Sequence, residues 1–399
     1  MSDVKDQYEA YPYPQRDPRD EAKRLITGSP SDPREIDHFL FGGTRDWTKP
    51  LRALFAGGGT GDGLIQLAQL LSAAKRPYDI TYIDLSKASR AVAEARAKMR
   101  GLSGITFHRG SLLDAAEFGP FDYIDCCGVL HHLPDPAAGF SALRGALSPD
   151  GGGLGFMVYA PYGRSGVYPL QEAFGALLKG LSPQDRLTTG KRIYEKLPAG
   201  HLFKTNPHLH DHEHSDAGFY DLLLHSQDQA FDVPRLINTL SETDWQLAGF
   251  CQQGLYDLAR YMIPPTGMDA AEQMGLAEKL NGTIKTHVGY AAAGTCVSPD
   301  ASAKNQRVPH LRGVSPVKLA QVIARGTAVP ITIGAETTQV KLPKSAAPMI
   351  AAVNGQRDLA AIAQVAKLDP IAARSIWAQV ETGLLPWGML LYSNLLKRG

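Results

Sequence analysis

The sequence predicts an α/β fold built on a doubly wound parallel sheet, and three observations carry that expectation. Leu51, Ala53, Leu54 and Phe55 form a short apolar run that reads as a buried strand. Gly57, Gly58, Gly59, Gly61 and Gly63 follow as a tight turn, and Leu64 to Leu71 repeats its apolar residues at helical spacing. A second apolar run, Ile80 to Ile83, ends at Asp84, 23 residues after Gly61. In a doubly wound sheet, an acidic residue about 20 residues beyond the glycine turn stands at the tip of the second strand and accepts from ribose hydroxyls. Glycine suits the turn because a ligand approaches the backbone there and φ turns positive. The helix that follows offers its free N–H groups to an anionic or electron-rich ligand. Together these elements predict a nucleoside-binding crevice.

The next elements extend the alternation. Ile105 to Phe107 reads as a third strand, followed by Gly110, Ser111, Leu112, Leu113 and Asp114, whose carboxylate is suited to an exocyclic adenine amine. Phe121 to Asp125 is a fourth strand, running into Cys126, Cys127, Gly128, Val129, Leu130, His131, His132 and Leu133. A helix end at Leu143 to Leu147 and a turn at Pro149 to Gly153 lead to a fifth strand, Leu154 to Tyr159.

Gly57-x-Gly59-Thr60-Gly61, Asp84, Gly110 to Asp114 and Val129 to Leu133 resemble the successive motifs of class I S-adenosylmethionine-dependent methyltransferases, over residues 51–160. More narrowly, Tyr13-Pro14 with Arg16, Ala56-Gly57, Asp84-Leu85-Ser86 with Ala88-Ser89, and Gly128 to His132 resemble a bacterial subgroup sometimes fused to tetratricopeptide repeats. The resemblance implies a Rossmann-like sheet of seven strands whose last pair is antiparallel, with S-adenosyl-L-methionine as cofactor. It places Arg16, Ala56, Gly57, Gly58, Gly59, Thr60, Gly61, Asp62, Asp84, Leu85, Ser111, Leu112, Cys127 and Gly128 at the cofactor. One position departs from the family. Phe55 stands where an acidic side chain commonly holds the methionine amino group, so a backbone carbonyl or Asp62 is expected to take that role.

At 399 residues with 44% apolar content and a net charge of +1, the chain reads as an ordinary soluble protein of two or three domains. Its apolar runs fall short of a membrane span, and its charged, proline-rich start does not read as a signal peptide. Four cysteines without framework spacing point to the cytoplasm. Residues 1–50 form an N-terminal arm in which Tyr8, Tyr11 and Tyr13 alternate with prolines. Two readings stand for it: a cap over the cofactor, with Arg16 pairing the methionine carboxylate, or an arm packed on the surface.

Residues 51–160 are the binding core, and 161–229 a helical insertion of the kind that sets substrate selectivity. Residues 230–297 return to the core with two further strands, Trp245 to Gly249 and His287 to Ala293. A Ser-, Asp- and Pro-rich linker at 298–309 leads to a C-terminal domain, 310–399. Asp358 to Val365 and Pro370 to Thr382 read there as helices, with a strand starting at Gly383 to Trp387. That order is similar to the winged-helix-like tail of some protein-lysine methyltransferases. Residues 300–399 hold 12 Lys and Arg against 5 Asp and Glu, a basic balance that fits solvated surface, an acidic protein or RNA. His208, His210, His212 and His214 alternate, which suits a transition metal only if the backbone turns to bring the rings together. No metal is expected there.

A sulfonium methyl is already activated, so the protein must mainly align the acceptor, which can supply about 7–11 kcal/mol. A base is needed only if the acceptor carries a proton, and an apolar pocket with tyrosine neighbours lowers the pKa of an ammonium. His131, His132, Tyr13 and Tyr159 are the candidates for this chemistry, His131 foremost. Methyl transfer to an amine side chain of a protein, lysine-like, is the leading reading. Transfer to a small metabolite and non-catalytic sensing of the cofactor are the alternatives.

Overall fold

The computed structural model describes residues 8–293, 306–334 and 336–397. Seven strands form one sheet: β1 (Leu51–Ala56), β2 (Tyr78–Asp84), β3 (Ile105–Arg109), β4 (Tyr123–Cys127), β5 (Gly153–Tyr159), β6 (Trp245–Phe250) and β7 (Thr286–Ala293). Their order is β3-β2-β1-β4-β5-β7-β6, with β7 antiparallel to both β5 and β6. The sheet is thus parallel across its first five strands and closes with the antiparallel pair expected.

Side chains of β1 alternate between the two faces, as strand geometry requires. Leu54 and Ala56 enter a core with Ile124, Phe140, Leu154 and Trp245. Ala53 and Phe55 enter the other, with Leu64, Ile80, Tyr82 and Tyr290. Burial on both faces is why these strands read as continuous apolar runs. Helices α1 (Pro33–Leu40), α2 (Asp62–Ala73), α3 (Lys87–Met99) and α4 (Pro136–Gly145) flank the sheet. The order of winding reverses between the parallel strands β1 and β4, so a crevice opens at their C-terminal tips.

Between β5 and β6 lie helices Val167–Leu177, Pro183–Glu195 and Asp216–Leu223. They bury a separate cluster that includes Leu170, Phe174, Leu187, Phe203, Phe219 and Leu223. Beyond β7, residues 298–305 of the expected linker lie outside the described residues. The C-terminal part pairs β8 (Pro309–Leu311) with β11 (Leu390–Tyr392), and β9 (Val329–Ile333) with β10 (Glu336–Val340). Helices Leu359–Val365 and Pro370–Leu384 are capped by Asp358 and Asp369 and bury Ile362, Trp377 and Val380 in a core with Ile350 and Tyr392. The strand expected at Gly383 to Trp387 is instead the helix end and a 3-10 turn, Leu385–Trp387. Pro386 fixes that turn, and Gly388 at φ +65° reverses the chain before β11 begins. Among the described residues, no helix is long and apolar enough to cross a membrane.

Candidate active site

The glycine turn is held by the strand beside it. Gly57 donates its N–H to the carbonyl of Ile83 at 2.8 Å, and Tyr82 Oη donates to the carbonyl of Gly59 at 2.6 Å. Gly57 sits at φ +71°, and a Cβ there would lie 2.6 Å from Val129 Cγ2, so only glycine lets the turn seat against the β4 loop. Asp84 accepts from Gly59 N–H and Ser86 N–H, each at 2.8 Å. Burial raises the pKa of its carboxyl while these two amides oppose the rise.

A cavity of about 390 Å³ opens beside this turn, of a size that takes a nucleoside carrying an amino-acid chain. Of the fourteen cofactor candidates, all but Ala56 line it: Arg16, Gly57, Gly58, Gly59, Thr60, Gly61, Asp62, Asp84, Leu85, Ser111, Leu112, Cys127 and Gly128. Ala56 is buried in the core beneath the turn. Asp114, suited by sequence to an adenine amine, is exposed on the 3-10 turn Leu112–Glu117 and does not line the cavity. The glycine-shaped turn, the acidic tip and the apolar walls fit an adenosyl group.

The N-terminal arm covers one side. Ser86 Oγ donates to the carbonyl of Tyr8 at 3.1 Å, and Thr60 Oγ1 to that of Pro14 at 2.8 Å. Arg16 grips Asp62 through Nε at 2.9 Å and Nη2 at 2.7 Å. Asp62 also accepts from Arg96 Nη1 at 2.7 Å, so its carboxylate already serves two guanidinium groups. It is therefore poorly placed to hold an ammonium, and Arg16 acts here as a latch between the arm and α2. Tyr13 lines the cavity, whereas Tyr11 stacks on Tyr220 at 5.2 Å, away from it.

A second carboxylate does reach the cavity from the sheet. Asp125 pairs in register with Phe55 across β1 and β4, and its Oδ2 accepts from Ser31 Oγ and Tyr123 Oη, each at 2.7 Å. Burial raises its pKa to about 6, against the pull of those two hydroxyls.

The same cavity is lined by a cluster of rings around Asp221. His132 directs Nδ1 at the carbonyl of Gln227, 2.9 Å away, which places the proton on Nδ1 and leaves Nε2 with its lone pair. Its ring stacks on His225 at 3.8 Å. His225 Nδ1 accepts the N–H of Gln227 at 3.1 Å, so its own proton sits on Nε2, 3.4 Å from Tyr8 Oη. Tyr8 and Tyr159 donate to the two oxygens of Asp221 at 3.0 and 3.1 Å. Burial raises the pKa of Asp221, and His132 and Tyr8 counter it. The guanidinium of Arg164 lies 3.5 Å above the Tyr159 ring.

His132, Tyr13 and Tyr159 line the cavity, but His131 does not. His131 is fully buried, 3.9 Å from the Tyr159 ring, with neither ring nitrogen bonded among the described residues. Burial, with His132 and Arg164 nearby, drives its pKa well below the usual histidine value. Asp125, Asp221 and His225 are not singled out by sequence reasoning. The signal for the last two is Ser215 to Ala230, where Asp221 and His225 stand four residues apart around a helix end.

Two groups of side chains bring metal-competent atoms within 4.8 Å of one another: His131, His132 and Asp228, and His132, Asp221 and His225. In the second, the hydrogen bond at Nδ1 of His225 makes Nε2 a donor toward Tyr8, which suits a proton relay better than a cation. The alternating histidines form no such group among the described residues. His214 faces the carbonyl of His210, and His212 bonds Tyr194 at 3.0 Å.

Comparison with known proteins agrees with this geometry. The family described as "Methyltransferase domain" matches residues 54–153. An uncharacterised protein of Synechococcus sp. is 36% identical over 206 residues, covering 50% of this chain and 48% of that protein. A ubiquinone biosynthesis O-methyltransferase of Paracidovorax citrulli is 33% identical over 95 residues, 23% of this chain and 38% of that one. The chain thus spans about half the length, or less, of these curated relatives. Among solved structures, PKMT2 from Rickettsia typhi superposes with a TM-score of 0.61 at 15% identity, over 93% of this chain and 77% of its own. The same protein in complex with AdoHcy gives a TM-score of 0.61 at 14% identity, over 91% and 75%. With the sheet order and the glycine turn in agreement with the match over residues 54–153, the core of this chain is a methyltransferase domain of the class I, S-adenosylmethionine-dependent kind.

Proposed function

We propose that this chain transfers the methyl group of S-adenosylmethionine to an amine, a lysine-like side chain of a protein. The observation that carries the reading is the carboxylate of Asp221, which accepts from Tyr8 and Tyr159 and lines the cavity together with them and Tyr13. A buried carboxylate with aromatic faces around it attracts an ammonium and strips its water. When bound, the cofactor supplies a methyl group activated by positive sulfur. The residues of the chain supply the rest. Asp221 and the tyrosines orient the amine, and His132 Nε2 accepts the proton that the nitrogen must lose before it forms its new bond to carbon. The sulfonium would supply the methyl group and keep the electron pair of its bond to carbon, so charge and atoms balance.

A protein acceptor is supported by the fold shared with PKMT2, which extends through the insertion and the C-terminal segment rather than the core alone. Purified protein incubated with extract and methyl-labelled cofactor tests the proposal. Label should appear in macromolecules and be recovered as methyl-lysine on hydrolysis. Label in small molecules would establish the metabolite reading instead, and no transfer at all would leave only cofactor sensing.

A further inference from the structure

We infer that Asp125 is the acceptor for the amino group of the cofactor, taking from β4 the role that the family commonly gives to the end of β1. This inference rests on the cofactor reading above and adds a binding residue to it. The register of the sheet supplies the argument. Phe55 occupies the β1 position two residues before Gly57, where an acidic side chain is expected, and its partner on the adjacent parallel strand is Asp125. In a parallel pair, residues in register project to the same face. A carboxylate at Asp125 therefore reaches the cavity at the level from which the missing one would have acted, displaced by one strand.

The side chain is also held for the task. Asp125 lines the cavity but is only 3% exposed. Oδ2 is occupied by the hydroxyls of Ser31 and Tyr123, at 2.7 Å each. No group among the described residues donates to Oδ1, and that atom is not sealed in the interior. One oxygen is thus anchored and the other left facing the cavity. The alternative acceptor, Asp62, spends both oxygens on Arg16 and Arg96. A buried carboxylate with one vacant oxygen is matched by an ammonium, because each desolvated charge is costly without the other. Ser31 belongs to the arm, so the packing of the arm helps to place this carboxylate.

The test measures dissociation constants by calorimetry for S-adenosylhomocysteine, its desamino analogue and methylthioadenosine, which has no amino-acid chain. For the wild-type chain, loss of the amino group should weaken binding about tenfold or more, the size of a charge-assisted hydrogen bond. Asp125→Asn keeps the shape and the bonds to Ser31 and Tyr123. It should weaken S-adenosylhomocysteine by a similar factor while methylthioadenosine and the desamino analogue stay within about twofold of wild type. Equal wild-type affinity for S-adenosylhomocysteine and its desamino analogue would overturn the inference, whatever the variant does. So would an Asp125→Asn chain that binds S-adenosylhomocysteine as wild type does, or that loses all three ligands equally. Failure of the wild-type chain to bind any of the three would instead overturn the cofactor reading.

Discussion

Of the two adjacent histidines, only His132 lines the cavity, and Gln227, which fixes its tautomer from 2.9 Å, leaves the lone pair on Nε2. General-base catalysis commonly contributes about 100-fold or more, so His132→Ala should lower turnover by roughly that factor. Its dissociation constant for S-adenosylhomocysteine should stay within about twofold, since the ring is held by Gln227 and His225 rather than by the glycine turn or Asp84. Wild-type turnover would remove His132 from the mechanism. His131 should behave in the opposite way. Its two ring nitrogens are buried without partners among the described residues, so His131→Leu removes unsatisfied polar atoms and should keep turnover within about threefold of wild type. A loss as large as that of His132→Ala would show that the buried ring does chemistry after all. The dipeptide is readable as a site from sequence, but the division of labour within it is not. It depends on a carbonyl 95 residues further along the chain.

At the level of elements, the arm is fixed to the glycine turn through buried charge. Glu21 in the 3-10 helix Pro18–Ala22 accepts from Arg96 Nε at 2.7 Å and also pairs with Arg100. Arg96 in turn bonds the carbonyl of Thr60 at 2.7 Å, inside the turn itself. Both Arg96 and Glu21 are nearly inaccessible to solvent. Removing one partner of such a pair leaves the other desolvated and alone, so Glu21→Ala should cost about 3–5 kcal/mol of stability in urea unfolding. Denaturation at the wild-type midpoint would refute this. Arg16→Ala breaks only the more exposed latch to Asp62 and should barely change global stability. It should instead free the arm, raising the dissociation constant for S-adenosylhomocysteine about tenfold and speeding proteolysis within residues 8–24. Unchanged affinity and unchanged cleavage would show that Thr60 and Ser86 suffice to hold the arm. Of the two readings the sequence leaves for the arm, its place beside the cavity fits the cap, and Arg16, which lines the cavity, also ties the arm to Asp62.

Across the whole molecule, the legible features are those decided locally. Strands β1 to β5, the glycine turn and the two final strands follow from apolar runs punctuated by Gly, Pro and Asp, and each signal lies within a dozen residues. What stays hidden comes from chain crossings. Asp125 matters only through its register with Phe55, and Asp221 only because the insertion folds back over β5. The C-terminal segment is another such crossing. Asp37 of α1 accepts from Ser393 Oγ at 2.7 Å, Asn394 N–H at 2.9 Å and Trp47 Nε1 at 2.9 Å, tying β11 to the core. Two histidines line the same seam: His38 accepts the N–H of Tyr392, and His310 donates Nε2–H to the carbonyl of Ser393 at 2.9 Å. Burial lowers the pKa of each to about 4, from an ordinary value near 6.5.

The sign follows from which state binds protons. Above pH 6.5 both states leave these rings neutral, and their full contribution to stability is present. As pH falls from about 6.5 to about 4 the unfolded chain takes up protons that the folded chain refuses, so stability is lost through that window. For His310, which is almost wholly buried, a shift of this size corresponds to about 3 kcal/mol. Buried carboxylates with raised pKa values, such as Asp125 and Asp37, act in the opposite direction and mask the total. The comparison must therefore be between the wild-type chain and His310→Gln, which retains a donor for Ser393 but does not titrate. Measured by urea unfolding, the stability of wild type relative to this variant should fall steadily between pH 6.5 and 4, and stay level from pH 7 to 8. Parallel curves over the acidic range would mean that the seam already opens to water around His310. The docking of β11 would then rest more heavily on Asp37, which accepts from Ser393 and Asn394.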